Sequence, residues 1–218
     1  MAGRIQTEPM GEPTADDAAR QTIVTLDLEG VLIPEVWIAV AEATGIDGLL
    51  RTTRDEPDYD VLMRYRLDLL GEHGLGLAKI QEVIASLEPM PGARAFLDML
   101  RERTQVIILS DTFEQFATPF MRQLGWPTIM CHQLLVDDDT IVGYQLRQQD
   151  QKRKAVEALQ SLNFRIIAAG DSYNDTTMLG AASTGLLFRS PDNVIAEFPQ
   201  FRAFTRYDDL LDAISAEL

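Results

Sequence analysis

Basic residues are scarce in this sequence. Its 218 residues include 19 Lys and Arg against 34 Asp and Glu, which gives a formal net charge of −15 at pH 7. Because nucleic acid and anionic lipid surfaces would repel such a chain, we expect no nucleic-acid partner and no membrane partner. An anionic substrate would require a site made locally positive by a metal ion and by a few lysine and arginine side chains.

Cysteine and long apolar segments are also lacking. A single cysteine, Cys131, excludes an intramolecular disulfide and suits a reducing, cytoplasmic environment. The sequence has no run of about 18 apolar residues, so it predicts no membrane-spanning helix. Residues 1–21 are rich in Glu, Asp, Pro and Gly and lack the apolar core of a signal peptide. We therefore expect a flexible polar extension there.

The sequence does contain alternating strand-like and helix-like segments. Short apolar runs predict strands near 22–27, 105–110, 165–169, 184–188 and 203–205. Amphipathic periodicity predicts helices near 92–102, 113–124, 152–161, 174–181, 192–197 and 207–216. This alternation predicts an α/β fold, a Rossmann-like doubly wound parallel sheet with helices on both faces. Two further runs, 129–136 and 141–146, predict a hairpin beside the core around a solvated acidic turn at 137–139.

One long segment interrupts the alternation. Residues 35–87 lack strand signals and show helical periodicity, and they are too numerous for an ordinary loop. We interpret them as a small helical cap, inserted after the first strand, which closes over the site and selects the substrate. The predicted division is an extension at 1–21, a catalytic core made of 22–34 and 88–218, and a cap at 35–87.

Polar residues follow three of the predicted strands. Asp27 and Glu29 follow the first, Ser110 ends the second, and Asp171 and Asp175 follow the third. Open α/β sheets bind ligands at the carboxyl ends of their strands, so these side chains are candidates for one site. A single acid at such a place can also merely cap the next helix. Because polar residues follow three strands and not one, a catalytic or ligand-binding role is favoured over helix capping.

Phosphoryl transfer through an aspartyl intermediate requires this set of residue types. Asp27 is a candidate nucleophile that forms an acyl phosphate, and Glu29 is placed to act as general acid and then base. Mg²⁺ prefers oxygen ligands, which Asp27 and Asp171 can supply while Asp175 holds a water. Ser110 and a lysine would bind the phosphate oxygens.

Two lysines compete for that last role. Lys152 and Lys154 both lie at the start of the helix predicted near 152–161. We favour Lys152, because Val156 and Leu159 then face the sheet, and Lys154 remains the alternative.

The same residues carry a family resemblance that runs from about residue 22 to the carboxyl terminus. In chain order, four segments resemble the four motifs of the haloacid dehalogenase-like hydrolases: 27–31, 109–111, Lys152 and 170–175. Within that superfamily, segments 26–37 and 168–178 are similar to phosphoserine phosphatases. They are most similar to the bacterial bifunctional members, which also transfer the phosphate of phosphoserine to homoserine.

The resemblance implies further site residues. It implies that Mg²⁺ is the cofactor, that the backbone carbonyl of Glu29 is one of its ligands, that Glu35 binds the substrate ammonium and that Arg66 binds the substrate carboxylate. Where Glu29 stands, the superfamily usually has Asp. The expected substrates are phosphoserine, homoserine and water, and a homodimer is possible. The implied substrate-binding set is Glu35, Arg66, Ser110, Asp111, Thr112, Lys152 and Asn174.

Simpler interpretations stay open for several residues and for the whole chain. Glu35 follows Pro34 and could be a first-turn helix acid, Arg66 could lie on a solvated helix face, and His132 fits a strand histidine with ordinary polar partners. The same fold could act on another small phosphomonoester, such as a sugar phosphate. A non-catalytic phospho-accepting module is the other alternative, although such modules are shorter and lack a cap.

Overall fold

The computed structural model describes residues 20–52, 55–56 and 58–218. Most of the predicted extension at 1–21 lies outside these residues. Seven strands form one sheet in the described part of the chain: β1 (Thr22–Leu26), β2 (Gln105–Phe113), β3 (Thr128–Asp137), β4 (Thr140–Gln145), β5 (Arg165–Gly170), β6 (Thr184–Phe188) and β7 (Arg202–Phe204).

The α-helices of this region are α1 (Val36–Thr44), α2 (Tyr59–Glu72), α3 (Leu77–Ala85), α4 (Ala93–Arg101), α5 (Glu114–Gln123), α6 (Gln151–Ser161), α7 (Thr176–Ala181), α8 (Asp192–Glu197) and α9 (Tyr207–Ser215). Short 3₁₀ helices span Asp47–Leu50 and Tyr173–Asp175. Among the described residues, no helix combines the length and apolar character that crossing a bilayer requires.

The strand order is β4-β3-β2-β1-β5-β6-β7, and every neighbouring pair is parallel except β3 and β4. The chain builds outward from β1 through β2 and β3, then returns to the other side of β1 and continues through β5, β6 and β7. A sheet of this kind has a crevice at the carboxyl ends of the strands where the direction of winding reverses. That point lies between β1 and β5.

Alternate residues of the central strands enter opposite hydrophobic layers. On β5, Ile167 packs into a layer with α4, α5 and α9, whereas Ile166 packs into a layer with α6, α7 and α8. Because side chains alternate across a strand, a sheet covered on both faces must be apolar at nearly every position. All six β5 residues are buried, as this rule requires. The predicted doubly wound α/β sheet is confirmed.

Helices α1, α2 and α3 occupy the chain between β1 and α4, and we call them the inserted helices. Their buried residues, among them Val40, Met63 and Ile84, are continuous with the hydrophobic layer on the α5 side of the sheet. Trp37 of α1 contacts Phe116 of α5 edge to face, with ring centroids 5.3 Å apart. The inserted helices are therefore packed against the sheet layer on one side of the crevice.

The predicted hairpin is confirmed by the antiparallel pairing of β3 and β4, but its predicted placement beside the core requires a correction. The first part of β3 is a parallel strand of the main sheet, in which Thr128 pairs with Ile107 and Met130 with Leu109. Only its later residues, from Gln133 onward, pair with the antiparallel β4. Backbone pairing to β2 decides this placement, and local sequence pattern does not encode such pairing.

Candidate active site

Three strands deliver the candidate site residues to one edge of the sheet. Asp27 follows β1, Asp171 follows β5, and Ser110 lies near the end of β2. The register between β2 and β3 shifts between Leu109 and Phe113, so the ladder is irregular where the polar residues occur. Irregularities of this kind re-aim side chains. Ser110 and Asp111 line the same cavity as the acids Asp27 and Asp171.

Asp27, Asp171 and Asp175 form a buried acid cluster. Each offers one carboxylate oxygen, and these three oxygens lie within 4.8 Å of one another. Gly30 leaves the space for one of them, because a Cβ at Gly30 would lie 2.5 Å from Cγ of Asp171. Its φ of +75° also favours glycine. The cluster has the donor set and the spacing to hold a divalent cation.

The Asp175 carboxylate is already engaged by protein donors. One oxygen accepts hydrogen bonds from the backbone N–H groups of Asp171 (2.9 Å) and Ser172 (3.1 Å). The other accepts a 2.8 Å bond from Nζ of Lys152. Asp175 is fully buried. It therefore ties the loop after β5 to helix α6.

Lys152 lies at the centre of the site. Its ammonium is 2.9 Å from Oδ1 of Asp27 and 2.8 Å from Oδ1 of Asp175, and it is 3.6 Å from Oδ2 of Asp111. Only 2% of the residue is exposed, whereas Lys154 is partly exposed on the same helix. Of the two lysines considered, the structure thus places Lys152 among the acids.

The acids carry more negative charge than Lys152 balances. Burial, followed by the charge of Asp175, raises the pKa of Asp27 well above its usual range. Burial and then Asp175 also raise the pKa of Asp171, to about 7. Although burial opposes its charge, the surrounding carboxylates raise the pKa of Lys152. Excess negative charge of this kind is relieved by a bound cation.

Glu29 and Glu35 are a second pair of carboxylates that line the same cavity as Asp27. One Glu29 oxygen accepts a 3.0 Å bond from the backbone N–H of Val36, so Glu29 caps helix α1 from outside it. Burial, and then the charge of Glu35, raises the pKa of Glu29 to about 7. A carboxyl group with this pKa can both donate and accept a proton near neutral pH.

Arg66 reaches this region from α2. It is buried, and its guanidinium lies over the Trp37 ring at 4.7 Å from the centroid. Nη2 donates a 2.8 Å hydrogen bond to the carbonyl of Arg51, whereas Nε is buried with no partner among the described residues. Burial lowers the pKa of Arg66 to about 10. Arg64, by contrast, is exposed.

A cavity of about 250 Å³ joins these groups. Its walls include every sequence-predicted site residue except Asp175, which lies buried behind Lys152. Those lining residues are Asp27, Glu29, Glu35, Arg66, Ser110, Asp111, Thr112, Lys152, Asp171 and Asn174. The structure therefore brings the predicted residues of the core and of the inserted helices to one space.

Sequence reasoning missed four residues around Asp111. The Tyr59 hydroxyl donates to the backbone carbonyl of Asp111 (3.3 Å), and Gln151 donates to the Asp111 carboxylate (3.2 Å). Tyr59, Gln151 and His132 line a second cavity of about 450 Å³, and Arg147 adjoins it. Position within α6 could have indicated Gln151, since it precedes Lys152. Tyr59, His132 and Arg147 come from distant elements, so no local pattern indicates that they lie near Asp111.

The sequence of this chain is similar to that of known proteins. Residues 21–183 match the family model described as a haloacid dehalogenase-like hydrolase. The chain is 65% identical over 189 residues to phosphoserine phosphatase ThrH of Pseudomonas aeruginosa, covering 86% of this chain and 92% of that protein. It is 64% identical to a phosphoserine phosphatase of Pseudomonas syringae, covering 86% and 80%.

Solved structures show the same fold at lower identity. A phosphoserine phosphatase from T. onnurineus superposes with a TM-score of 0.70 at 23% identity, covering 94% of this chain and 98% of that one. A substrate-bound phosphoserine phosphatase complex gives a TM-score of 0.71 at 17% identity, covering 86% and 94%.

Proposed function

The chain belongs to the haloacid dehalogenase-like hydrolases, and we propose that it is a phosphoserine phosphatase. The observation that carries the proposal is the 250 Å³ cavity. Asp27, Ser110 and Lys152 line it, and these side chains suit a phosphate group. Glu35 and Arg66 line it too, and they suit the ammonium and carboxylate of an amino acid.

We propose that Asp27 attacks phosphorus. The bond from phosphorus to the serine oxygen breaks as the acyl phosphate on Asp27 forms, and Glu29 donates its proton to the departing oxygen. Glu29 then removes a proton from the incoming water, whose oxygen attacks phosphorus and releases Asp27. Ser110 and Lys152 hold the phosphate oxygens through both steps. The raised pKa of Glu29 supports this double role.

The acid cluster fits Mg²⁺. Asp27, Asp171 and the backbone carbonyl of Glu29 would hold the ion, and Asp175 would hold one of its waters. Asp175 suits the outer position because protein donors already occupy both of its oxygens. When bound, Mg²⁺ would neutralise charge on the transferred phosphoryl group.

Substrate choice is assigned to the inserted segment. We propose that residues 35–87 form a cap over a core made of 22–34 and 88–218, as the sequence predicts. Glu35 and Arg66 both belong to this segment. Both residues line the 250 Å³ cavity, which supports the assignment because a guanidinium binds a carboxylate through charge-assisted hydrogen bonds.

We further propose that the enzyme transfers phosphate to homoserine. Homoserine carries the same ammonium and carboxylate as serine, so Glu35 and Arg66 could hold it once serine leaves. The hydroxyl group of bound homoserine can compete with water, because effective molarities of well-oriented groups reach about 10⁵ M or more.

Phosphate release from a panel of phosphomonoesters tests the phosphatase proposal. Phosphoserine should be hydrolysed with the highest kcat/KM, in Mg²⁺, over sugar phosphates and p-nitrophenyl phosphate. A sugar phosphate that exceeds phosphoserine would replace the proposed substrate while leaving the family unchanged.

The balance of products tests transfer. With phosphoserine and increasing homoserine, serine formed should exceed free phosphate by the amount of phosphohomoserine made. Equal serine and phosphate at saturating homoserine would leave a phosphatase without transferase activity.

A further inference from the structure

His132 is a buried histidine whose tautomer is set by its neighbours. It lies on β3 and is 3% exposed, with Tyr59 and Phe113 packed against its ring. Its Nδ1 accepts a 3.1 Å hydrogen bond from the backbone N–H of Arg147. In the neutral ring the proton must then reside on Nε2, and this atom faces Oδ1 of Asp111 at 3.6 Å.

Asp111 is surrounded by donors. Gln151 donates to its Oδ1 at 3.2 Å, Asn174 donates to its Oδ2 at 3.4 Å, and Nζ of Lys152 lies 3.6 Å from Oδ2. Burial alone would raise the pKa of Asp111, but Lys152, followed by His132 and Gln151, brings it below its usual range. Asp111 is therefore a carboxylate anion, although it lines a cavity suited to a phosphate.

An anion beside a phosphate site would repel the substrate unless it had a compensating role. That role is visible in the surroundings of Lys152. Asp27 and Asp175, whose side chains are at most 5% exposed, attract the ammonium from within the acid cluster. Asp111, whose side chain is 32% exposed, attracts it from the cavity. The three carboxylates together hold Nζ at the boundary between the cluster and the cavity.

We propose that His132 and Gln151 are positioning residues that hold the Asp111 carboxylate toward Lys152, so that the ammonium stays within reach of the phosphate. The proposal rests on the phosphate-binding role given to Lys152 above. Asp111 then acts through Lys152 and not as a direct ligand of the substrate. Lysine needs such support because its ammonium sits on a flexible four-carbon stem.

Two substitutions of His132 separate its two contacts. In His132→Asn the amide oxygen takes the place of Nδ1, so the bond from Arg147 is kept and the donor toward Asp111 is lost. In His132→Gln the terminal amide nitrogen takes the place of Nε2, so the donor toward Asp111 is kept and the Nδ1 acceptor is lost. His73→Asn serves as the control, because His73 lies exposed at the end of α2.

We expect His132→Asn to lower kcat for phosphoserine by about tenfold to a hundredfold, the range for groups that orient a catalytic ligand indirectly. The change in KM should be smaller, because Arg66 and Glu35 still hold the amino-acid end. His132→Gln should recover most of the loss, and His73→Asn should match the wild type. The proposal would be overturned if His132→Gln lost activity while His132→Asn kept it. In that case the bond from Arg147, and not the contact with Asp111, would account for the effect of His132 on kcat.

Two measurements do not depend on turnover. The ¹⁵N shifts of His132 should show the Nε2–H tautomer, and the Nδ1–H tautomer would overturn the proposal. Calorimetry with inorganic phosphate should show weaker binding to His132→Asn than to His132→Gln, and equal binding would overturn it. If the wild type does not hydrolyse phosphoserine, the proposed function fails, and these two measurements still decide the role of His132.

Discussion

Asp27 has a raised pKa, which disfavours its ionised form, and yet the proposed mechanism requires that form. It is buried and close to two other acids, so its pKa is raised well above the usual range. A group whose pKa rises on folding lowers the stability of the folded state at every pH where it is ionised. In the proposed mechanism the same charge is needed for nucleophilic attack and for cation binding. If Asp27 has the proposed role, its ionised form lowers the stability of the fold and is required for the reaction.

The Asp27→Asn variant should separate these properties. We expect it to lose all turnover on every phosphomonoester, because the amide cannot form an acyl phosphate. In EDTA its thermal midpoint should be equal to or higher than that of the wild type, since the amide carries no buried charge. Activity assays and thermal unfolding in EDTA measure the two effects. More than a few per cent of residual activity would remove the nucleophile assignment.

Substitution of Arg66 tests substrate recognition separately from the chemical step. We expect Arg66→Ala to reduce kcat/KM for phosphoserine about tenfold to 150-fold, which corresponds to losing a charge-assisted bond worth roughly 1.5–3 kcal/mol. For p-nitrophenyl phosphate, which has no carboxylate, the loss should be much smaller. The matched control is Arg64→Ala, which removes an exposed arginine from the same helix. Equal losses on both substrates would make Arg66 a packing residue.

Cys131 allows a test of burial by chemical reactivity. Burial raises the pKa of its thiol from 9.0 to about 11. The thiolate is the reactive form, so at pH 8 we expect alkylation about a hundredfold slower than for an unperturbed cysteine. Mass spectrometry with iodoacetamide follows the reaction, and the urea-unfolded protein provides the reference rate. Equal rates in the folded and unfolded protein would contradict the predicted environment.

The sequence indicates some side chains of the candidate site and is silent on others, for a physical reason. Asp27 and Asp171 directly follow apolar strands and Ser110 lies near the end of one, and the carboxyl ends of parallel strands meet at one edge. Tyr59 and His132 reach Asp111 only because α2 and β3 pack next to the end of β2. Contacts of that kind depend on tertiary packing, which no local pattern reports.

Among the secondary-structure elements, the β3–β4 hairpin contacts the inserted helices, partly through its acidic turn. Asp139, at a φ of +70°, accepts a 2.6 Å hydrogen bond from the backbone N–H of Ala78, and its carbonyl accepts one from Leu77 (2.8 Å). The turn thus caps the amino terminus of α3. The Tyr144 hydroxyl adds a bond to Asp60 of α2. The hairpin therefore links the sheet to two of the inserted helices.

Removing the Asp139 side chain should loosen α3. We expect Asp139→Gly to increase hydrogen exchange of the first-turn amides of α3, since loss of a capping side chain costs about 0.5–2 kcal/mol. Glycine tolerates the positive φ, so the change tests the cap and not backbone strain. Asp138→Gly is the control, because it removes an acid at positive φ from the same turn and leaves the bond to Ala78 intact. Similar exchange in both variants would contradict a capping role.

Helices and strands were predictable to different degrees. The strand β5 and the helices α6 and α9 follow from local apolar patterns, because β5 is a continuous buried apolar run and each helix buries one consistent face. The sequence suggests a solvated turn for Asp139, because its capping partner lies 61 positions away. It also leaves β3 outside the main sheet, because parallel pairing with β2 is a long-range property.

Considered as a whole, the molecule has a net charge of −15 and a buried cluster of three acids within it. Cations can therefore stabilise the folded state in two ways. Any dissolved salt screens the general self-repulsion, with a Debye length of about 10 Å at 0.1 M. A divalent ion at the cluster would act locally, and it would stabilise the folded state by binding it in preference to the unfolded chain.

Thermal unfolding at matched ionic strength distinguishes the two effects. MgCl₂ should raise the unfolding midpoint of the wild type more than NaCl does at the same ionic strength, because only Mg²⁺ can be held by Asp27 and Asp171. In Asp171→Asn the two salts should give similar midpoints, since screening remains and a charged ligand is lost. Asp98→Asn removes an exposed acid and should retain the Mg²⁺ response. An Mg²⁺ response of equal size in Asp171→Asn would mean that the ion acts on the surface charge of the protein and not at the acid cluster.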